Sequence, residues 1–155
     1  MMIKINIFSN NKLWGRYISN PTYFIEKKLK ILNKKFKKFK GKIIYCTILL
    51  SGDNEIRKLN KEFRKKNKAT DVLSFPFYKK KELAIRLKKD KEIYLGDIII
   101  NFKKIKHKNT KNSFILEFNR LWVHGLIHLF GYDHKKEKDY INMNRIEKKF
   151  ISYLN

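Results

Sequence analysis

The alternation of hydrophobic and polar positions along the chain predicts short strands separated by amphipathic helices. Residues 2–8 alternate like a strand, and the apolar segment 43–50 is typical of a strand that is buried on both faces or nearly so. Residues 92–101 are also predicted to form a strand. The segment 69–76 is a further short strand, which Pro76 interrupts. The pattern therefore predicts about four strands.

The first helix is predicted to begin at Asn20 and Pro21, because asparagine can cap a helix and proline fits its first turn. Gly41 is expected to end it. Its apolar residues recur at spacings of three and four, which places them on one buried stripe. That stripe consists of Ile25, Leu29, Leu32, Phe36 and Phe39.

A second helix is predicted to start after Gly52, with Asp53 as its cap. Its inward positions are Ile56, Leu59 and Phe63. Residues 77–92 are rich in lysine and show no clear period, so they are predicted to form a loop with at most a helical turn around 83–87. Gly96 is expected to mark a bulge or a close approach of two backbones.

The most apolar helix is predicted after Asn112 and Ser113, which can cap it. Its apolar residues lie all around the cylinder from 114 to 129, so this helix should be buried with the others packed on it. A last helix is predicted at about 137–154. The expected fold is α+β, with a small mixed sheet of about four strands packed with helices around the central helix in a single domain, 1–155.

The central helix carries the candidate chemistry. His124 and His128 are four residues apart, so both imidazoles lie on the same face of the helix. Gly131 can end the helix in a left-handed conformation and turn the chain, which would bring His134 back as a third ligand. Three imidazoles leave the fourth tetrahedral position of a zinc ion open, as in catalytic sites. Because Cys46 is the only cysteine, a closed cysteine-rich site is excluded.

The histidine spacing is also that of the metzincin peptidases, H-E-x-x-H-x-x-G-x-x-H, except that Gly125 stands in place of the glutamate. In those enzymes the glutamate is the general base, and glycine cannot accept a proton. His107 is predicted to be an exposed loop residue. Met143 is expected to be an ordinary core residue, and Asp133 is expected either to orient a ligand imidazole or to stabilise the turn.

The charge of the chain points to a polyanionic partner. The 155 residues carry 38 lysines and arginines against 14 acidic residues, a net charge of +24. Nucleic acid is favoured over a membrane surface, although AT-rich coding can supply part of the lysine. The chain has no apolar run near the 18 or so residues of a membrane span and no signal sequence at its start. With the lone Cys46, this predicts a cytoplasmic protein in a reducing setting.

Four blocks of the sequence, in this order, resemble the YbeY family of bacterial endoribonucleases, which act in the maturation of small-subunit ribosomal RNA. They are Leu59-Asn60 with Phe63-Arg64, the segment 70–76 (TDVLSFP), the segment 95–98 (LGDI) and the segment 124–134 (HGLIHLFGYDH). The resemblance covers roughly residues 43–150, and Ile127 stands where the family has leucine. By composition alone, Arg64 is one more solvated cation.

The resemblance implies one zinc ion held by His124, His128 and His134, with His124 and Arg64 in catalytic roles and a zincin-like α+β fold. The predicted function is therefore a metal-dependent, single-strand-specific endoribonuclease that acts on ribosomal RNA in small-subunit maturation and ribosome quality control. It would work with the small ribosomal subunit, without a membrane and without a small-molecule cofactor. Either a hydroxide or the RNA 2′-OH could attack. The alternatives are a non-enzymatic assembly factor with a structural metal and, disfavoured by Gly125, a metallopeptidase.

Overall fold

A four-stranded mixed sheet organises the fold, which is taken from a computed structural model that describes residues 2–36, 40–134 and 136–154. The strands are β1 (Met2–Ser9), β2 (Ile43–Ser51), β3 (Val72–Pro76) and β4 (Glu92–Asn101). Their order across the sheet is β1-β2-β4-β3, in which β1, β2 and β4 are parallel and β3 is an antiparallel edge strand. The prediction of a small mixed sheet is confirmed.

Helices cover both faces of this sheet. They are α1 (Pro21–Lys35), α2 (Asp53–Arg64), α3 (Lys80–Lys89), α4 (Lys111–Leu129) and α5 (Glu137–Leu154). The main core lies between one face of the sheet and α1, α4 and α5, and it includes Ile25, Ile48, Phe118 and Phe150. A smaller core lies on the other face under α2, where Ile56 packs with Leu73 and Ile99. The predicted α+β fold is confirmed.

Strand β2 shows how the two faces differ. Its alternate residues Ile44, Cys46, Ile48 and Leu50 are completely buried in the main core. Most of the residues between them are only half-buried, because α2 covers just one part of the other face. Burial raises the pKa of the Cys46 thiol and so keeps it protonated. No helix in the described parts of the chain has an apolar stretch long enough to cross a bilayer.

Helix α4 crosses the main core, as expected, but it begins differently from the prediction. The cap is Thr110, whose hydroxyl accepts a hydrogen bond from the Ser113 backbone N–H, while the Ser113 hydroxyl accepts one from the Thr110 N–H. The predicted cap at Asn112 and Ser113 was therefore two to three residues late. The predicted burial on all sides also fails at Leu116, which is 53% exposed.

Gly96 forms the predicted irregularity in β4. The pairing register shifts there, from Tyr45 opposite Tyr94 to Thr47 opposite Asp97, so β4 contains one extra residue. Gly96 has a positive φ of 131°. A Cβ at this position would lie 2.1 Å from the carbonyl oxygen of Phe75 on the neighbouring strand. Both predicted reasons for glycine, a bulge and a close backbone approach, are confirmed.

The prediction of a loop at 77–92 was wrong, because this segment contains helix α3. Within α3 only Leu83 is buried, so the helix has no long apolar stripe that would reveal it in the sequence. Its stability comes partly from Arg86, which lies 3.9 Å from Glu82 and 3.4 Å from Asp90, one turn away on either side.

Two helix boundaries and one inward residue also differ from the predictions. Helix α1 ends at Lys35, since Phe36 has extended backbone angles and its ring packs on Phe150 with 4.8 Å between centroids. The predicted stripe residue Phe39 lies outside the described residues.

The cap of α2 is Gly52 and not Asp53. The Asp53 carboxylate instead accepts a hydrogen bond of 2.7 Å from the side-chain amide of Asn101. Phe63 was expected to face inward but is 62% exposed.

Candidate metal centre

Three histidine side chains meet where α4 ends. His124 and His128 lie on the last turns of this helix, and Gly131, with a φ of 86°, reverses the chain behind it. Hydrogen bonds from the Gly131 N–H to the His128 carbonyl and from the Tyr132 N–H to the Ile127 carbonyl close the helix end. His134 follows in the turn. One potential ligand nitrogen from each histidine lies within 4.8 Å of the other two, so the predicted convergence is confirmed.

The spacing of these nitrogens matches a metal site. The Nε2 atoms of His124 and His128 are 3.1 Å apart. Two nitrogens that bind one tetrahedral zinc ion at about 2.0–2.1 Å are separated by roughly 3.3 Å. The ring of His134 completes the group, with its centroid 5.0 Å from that of His128 and 6.0 Å from that of His124.

The second nitrogen of each helical imidazole is held by an acceptor. His124 Nδ1 lies 2.8 Å from a carboxylate oxygen of Glu147, and His128 Nδ1 lies 3.0 Å from the carbonyl oxygen of Tyr132. Because both partners only accept, each Nδ1 carries a proton, and each Nε2 presents a lone pair to the centre of the group. Two lone pairs facing each other at this distance repel, and a divalent ion between them would remove that repulsion, so the residues fit a divalent metal ion.

The environment of His128 favours the neutral imidazole that metals bind. Burial and the adjacent charge of His124 lower the pKa of His128 to about 4. At neutral pH this side chain therefore carries no positive charge that would repel a cation.

Glu147 is the residue of the site that the sequence analysis missed. It lies on α5, its side chain is 18% exposed, and it reaches His124 because α5 packs against α4. Glu147 follows the buried Met143 by one helical turn, so it shares the inward side of α5. A carboxylate on an otherwise apolar stripe was the signal that could have identified it. Met143 is a core residue, as predicted, at 2% exposure.

Two other predictions about individual residues are resolved by hydrogen bonds and exposure. The carboxylate of Asp133 accepts a hydrogen bond of 2.7 Å from the backbone N–H of His134, which fits the turn-stabilising role and leaves the orienting role a prediction. His107 is exposed, as predicted, and does not belong to the three-histidine group.

The histidines lie in a cleft of about 980 Å³. Strand β3 contributes one wall, through Val72, Ser74 and Pro76, and the turn after α4 contributes another. Five basic residues line the cleft, against three aspartates; the basic residues are Arg64, Lys66, Lys79, Lys80 and Lys136. Their excess of positive charge makes the cleft suitable for a polyanion.

Arg64 shares this cleft with the histidines. It is the last residue of α2, and its Nη2 donates a hydrogen bond of 2.8 Å to the carbonyl oxygen of Ser74 on β3. The end of α2 is anchored by the buried Asn60, whose amide donates to the carbonyl of Lys68. The guanidinium is therefore held in place although it is exposed to solvent.

Gly125 packs α4 tightly against the sheet. A Cβ at this position would lie 2.7 Å from Cγ2 of Ile98 and 3.1 Å from the hydroxyl of Ser74. The Ser74 hydroxyl also donates a hydrogen bond of 3.3 Å to the Gly125 carbonyl. A glutamate at position 125 would collide with β4, so the space that a peptidase base would occupy is filled by the sheet.

Comparison with known proteins identifies relatives that share most of this chain. The family model of endoribonuclease YbeY matches residues 15–155. The endoribonuclease YbeY of Pelagibacter ubique is 45% identical over 150 residues, which are 94% of this chain and 92% of the relative. The protein of the same name from Buchnera aphidicola is 36% identical over 143 residues, 91% of this chain and 84% of the relative.

A solved structure agrees with the fold. The solution structure of a protein from Thermotoga maritima superposes with a TM-score of 0.62 at 25% identity, covering 97% of this chain and 89% of that protein. The family match includes the segment that carries the three histidines. The chain therefore belongs to the YbeY family of endoribonucleases.

Proposed function

We propose that the protein is a zinc-dependent, single-strand-specific endoribonuclease that acts in the maturation of small-subunit ribosomal RNA. Membership of the YbeY family supports the activity and the RNA substrate. The observation that carries the proposal is the convergence of three imidazoles in a cleft lined by arginine and lysine. A metal-ligand group and a polyanion-binding surface thus share one cavity.

His124, His128 and His134 are the residues that would hold the ion. Zinc bound there would supply Lewis-acid charge beside the scissile phosphate and would lower the pKa of a water molecule to about 7. Glu147 and the Tyr132 carbonyl orient the two helical imidazoles through their Nδ1 atoms.

Arg64 is the second group with a catalytic role in this proposal. A phosphodiester gains negative charge on its nonbridging oxygens in the transition state, and a guanidinium placed beside them stabilises that charge. The hydrogen bond to Ser74 fixes part of the Arg64 side chain and leaves its other N–H groups available to the substrate. Lys66, Lys79 and Lys80 would bind neighbouring phosphates in the same cleft.

Single-stranded RNA suits the cleft better than duplex RNA. A flexible single strand can follow a basic groove and bring one of its phosphates to the histidines, whereas the rigid A-form duplex cannot bend into the groove in the same way. A peptidase is disfavoured, because Gly125 offers no base and is enclosed by Ile98 and Ser74.

The proposal is tested by cleavage of a labelled single-stranded RNA. We expect His128→Ala and Arg64→Ala to lose most of the activity, because one removes a metal ligand and the other a charge beside the phosphate. His107→Ala and Arg145→Ala are the matched controls, since both replace exposed residues that do not line the cleft. Undiminished cutting by His128→Ala would mean that the activity belongs to a contaminant. RNA binding without cleavage at any zinc concentration would favour the non-enzymatic assembly factor.

A further inference from the structure

The face of the sheet opposite α4 carries aromatic side chains that have no part in the proposed reaction. Helix α2 covers one part of this face, over Leu73 and Ile99. At the border of that part and beyond it lies a group that we name the aromatic surface: Tyr45, Phe63, Phe75, Phe77 and Tyr94. Tyr45 belongs to this face because side chains alternate along a strand and its neighbours on β2, Ile44 and Cys46, both face the main core. It also lies directly opposite Tyr94 on β4.

Two pairs of rings form most of the aromatic surface, and Phe75 and Phe77 connect them, because residues two apart along β3 and its continuation lie on the same face. Phe63 and Phe77 are exposed, whereas Tyr45, Phe75 and Tyr94 are half-buried. Phe63 and Phe75 pack edge to face with 5.3 Å between centroids, and Phe77 and Tyr94 do so at 5.7 Å. Phe63 is 62% exposed and Phe77 is 65% exposed. Single exposed aromatic residues are common, but a contiguous group indicates a binding surface. The hydroxyl of Tyr94 bonds to Thr47 and Asp97, which holds its ring in place.

The aromatic surface is continuous with the metal-binding cleft around the edge strand β3. The ring centroids of Phe77 and Tyr78 are 4.9 Å apart, and Tyr78 lines the cleft. Arg64 provides a second connection, because its guanidinium carbon lies 5.7 Å from the Phe75 ring centroid while the same side chain lines the cleft. A chain molecule bound in the cleft can therefore continue over β3 onto these rings.

The charges around the aromatic surface suit a strand of nucleic acid. The Arg64 guanidinium lies over the Phe75 ring at one end of this surface. The Lys4 ammonium lies 5.8 Å from the Tyr45 ring centroid. One carboxylate of the same face, that of Asp97, is engaged by the Tyr94 hydroxyl. Rings flanked by Arg64 and Lys4 match stacked bases and phosphates, whereas an apolar protein partner would leave these two cations without a counterpart.

We propose that the aromatic surface is a base-stacking site for single-stranded RNA that guides the strand over β3 into the cleft. This inference rests on the proposed function and adds the residues that bind the substrate beyond the reacting phosphate. Stacking does not depend on the identity of the base, since every base presents a π-face. The site would therefore raise the affinity for RNAs long enough to reach it, without making the nuclease specific for a base sequence.

The test measures binding of a fluorescein-labelled, single-stranded 15-nucleotide oligouridine to the full-length protein by fluorescence anisotropy, with EDTA present to prevent cleavage. Phe77→Ala and Phe63→Ala are each expected to weaken binding about tenfold. Tyr23→Ala is the matched control, because Tyr23 is 63% exposed but lies on α1, which packs on the opposite face of the sheet. Circular dichroism verifies that each variant is folded.

Two further variants separate stacking from apolar contact. Phe77→Tyr keeps the aromatic ring and should bind within twofold of the wild type, whereas Phe77→Leu keeps an apolar side chain without a π-face and should bind as weakly as Phe77→Ala. Affinities within twofold of the wild type for Phe77→Ala and Phe63→Ala would overturn the proposal, and so would full affinity in Phe77→Leu. If Phe77→Ala keeps its RNA affinity but no longer co-sediments with small ribosomal subunits, the surface binds a protein and the proposal is wrong.

Kinetics distinguish this inference from the nuclease function. We expect Phe77→Ala to raise the KM for the 15-mer about tenfold with kcat unchanged, and to cut a tetranucleotide confined to the cleft as the wild type does. If the wild type cuts no RNA but Phe77→Ala still weakens binding, the stacking site stands without the nuclease. If His128→Ala abolishes cleavage while Phe77→Ala binds and cuts like the wild type, the nuclease stands and the stacking site is rejected.

Discussion

Glu147 determines the tautomer and the orientation of the His124 imidazole. Its carboxylate accepts a hydrogen bond of 2.8 Å from Nδ1–H, which fixes the tautomer with a free lone pair on Nε2 and makes that nitrogen a stronger metal ligand. The carboxylate is largely buried between α4 and α5, so water competes only weakly for the hydrogen bond. The residue therefore acts on the ion through the imidazole.

Replacing Glu147 should weaken metal binding. We expect Glu147→Gln to reduce zinc affinity by about 10- to 100-fold, because an amide orients the imidazole less firmly and does not strengthen its basicity. Competition with a chromogenic chelator measures the affinity. Glu137→Gln, an exposed change at the start of the same helix, is the control. Equal affinities for the Glu147 variant and the wild type would show that this hydrogen bond has no role in metal binding.

A side chain at position 125 should destabilise the protein. We expect Gly125→Ala to lower the free energy of unfolding by about 1–3 kcal/mol, because its Cβ would press on Ile98 and Ser74 at the contact of α4 with the sheet. Urea denaturation followed by circular dichroism measures the change. Gly15→Ala is the control, since a Cβ there meets no atom within 4 Å. Similar stability of the two variants would mean that α4 can shift without cost.

At the scale of elements, the sequence predicted what periodicity and spacing encode. The strands, α4 and the meeting of His124, His128 and His134 followed from alternation, apolar content and a glycine that ends a helix. Helix α3 was missed because a helix with one buried residue has almost no apolar period. Glu147 was missed because its role depends on the packing of α5 against α4, a contact that neither segment reveals alone.

Helix starts were also hard to place, since several polar residues in a row can serve as caps. The start of α4 provides a test: Thr110→Ala should lower the free energy of unfolding by about 1 kcal/mol, because it removes the hydroxyl that binds the Ser113 N–H. Asn112→Ala should change it by a few tenths of that amount, as Asn112 lies inside the helix and is exposed. Thermal denaturation compares the two. A larger loss of stability in Asn112→Ala than in Thr110→Ala would show that Asn112 caps the helix, as the sequence suggested.

At the scale of the whole molecule, an ion bound by the three histidines would join parts of the chain that packing and a few hydrogen bonds already hold together. His124 and His128 belong to α4, His134 belongs to the turn beyond Gly131, and Glu147 adds α5. A ligand that binds the folded chain and not the unfolded chain stabilises the fold by mass action. We therefore expect metal binding and global stability to be coupled.

Chelation should reveal this coupling. We expect EDTA to lower the Tm of the zinc-loaded wild type. The stabilisation that EDTA removes is about 2.7 kcal/mol when free zinc is at 100 times its dissociation constant. The same treatment should leave the Tm of His128→Ala unchanged, because that variant has lost a ligand. Differential scanning calorimetry on untagged protein measures both, and elemental analysis identifies the bound ion. An equal effect of EDTA on the two proteins would contradict binding at the three histidines.

The edge position of β3 has a consequence for how copies of the molecule behave towards each other. The unpaired backbone N–H and C=O groups of an edge strand can pair with a strand of another molecule, and such pairing leads to aggregation. Here the Arg64 guanidinium already occupies the outward carbonyl of Ser74, and Pro76 has no N–H to offer. Arg64, which is proposed to stabilise the transition state, thus also blocks the addition of another strand to β3. Loss of activity in Arg64→Ala should therefore be interpreted only after size-exclusion chromatography has shown that the variant does not aggregate.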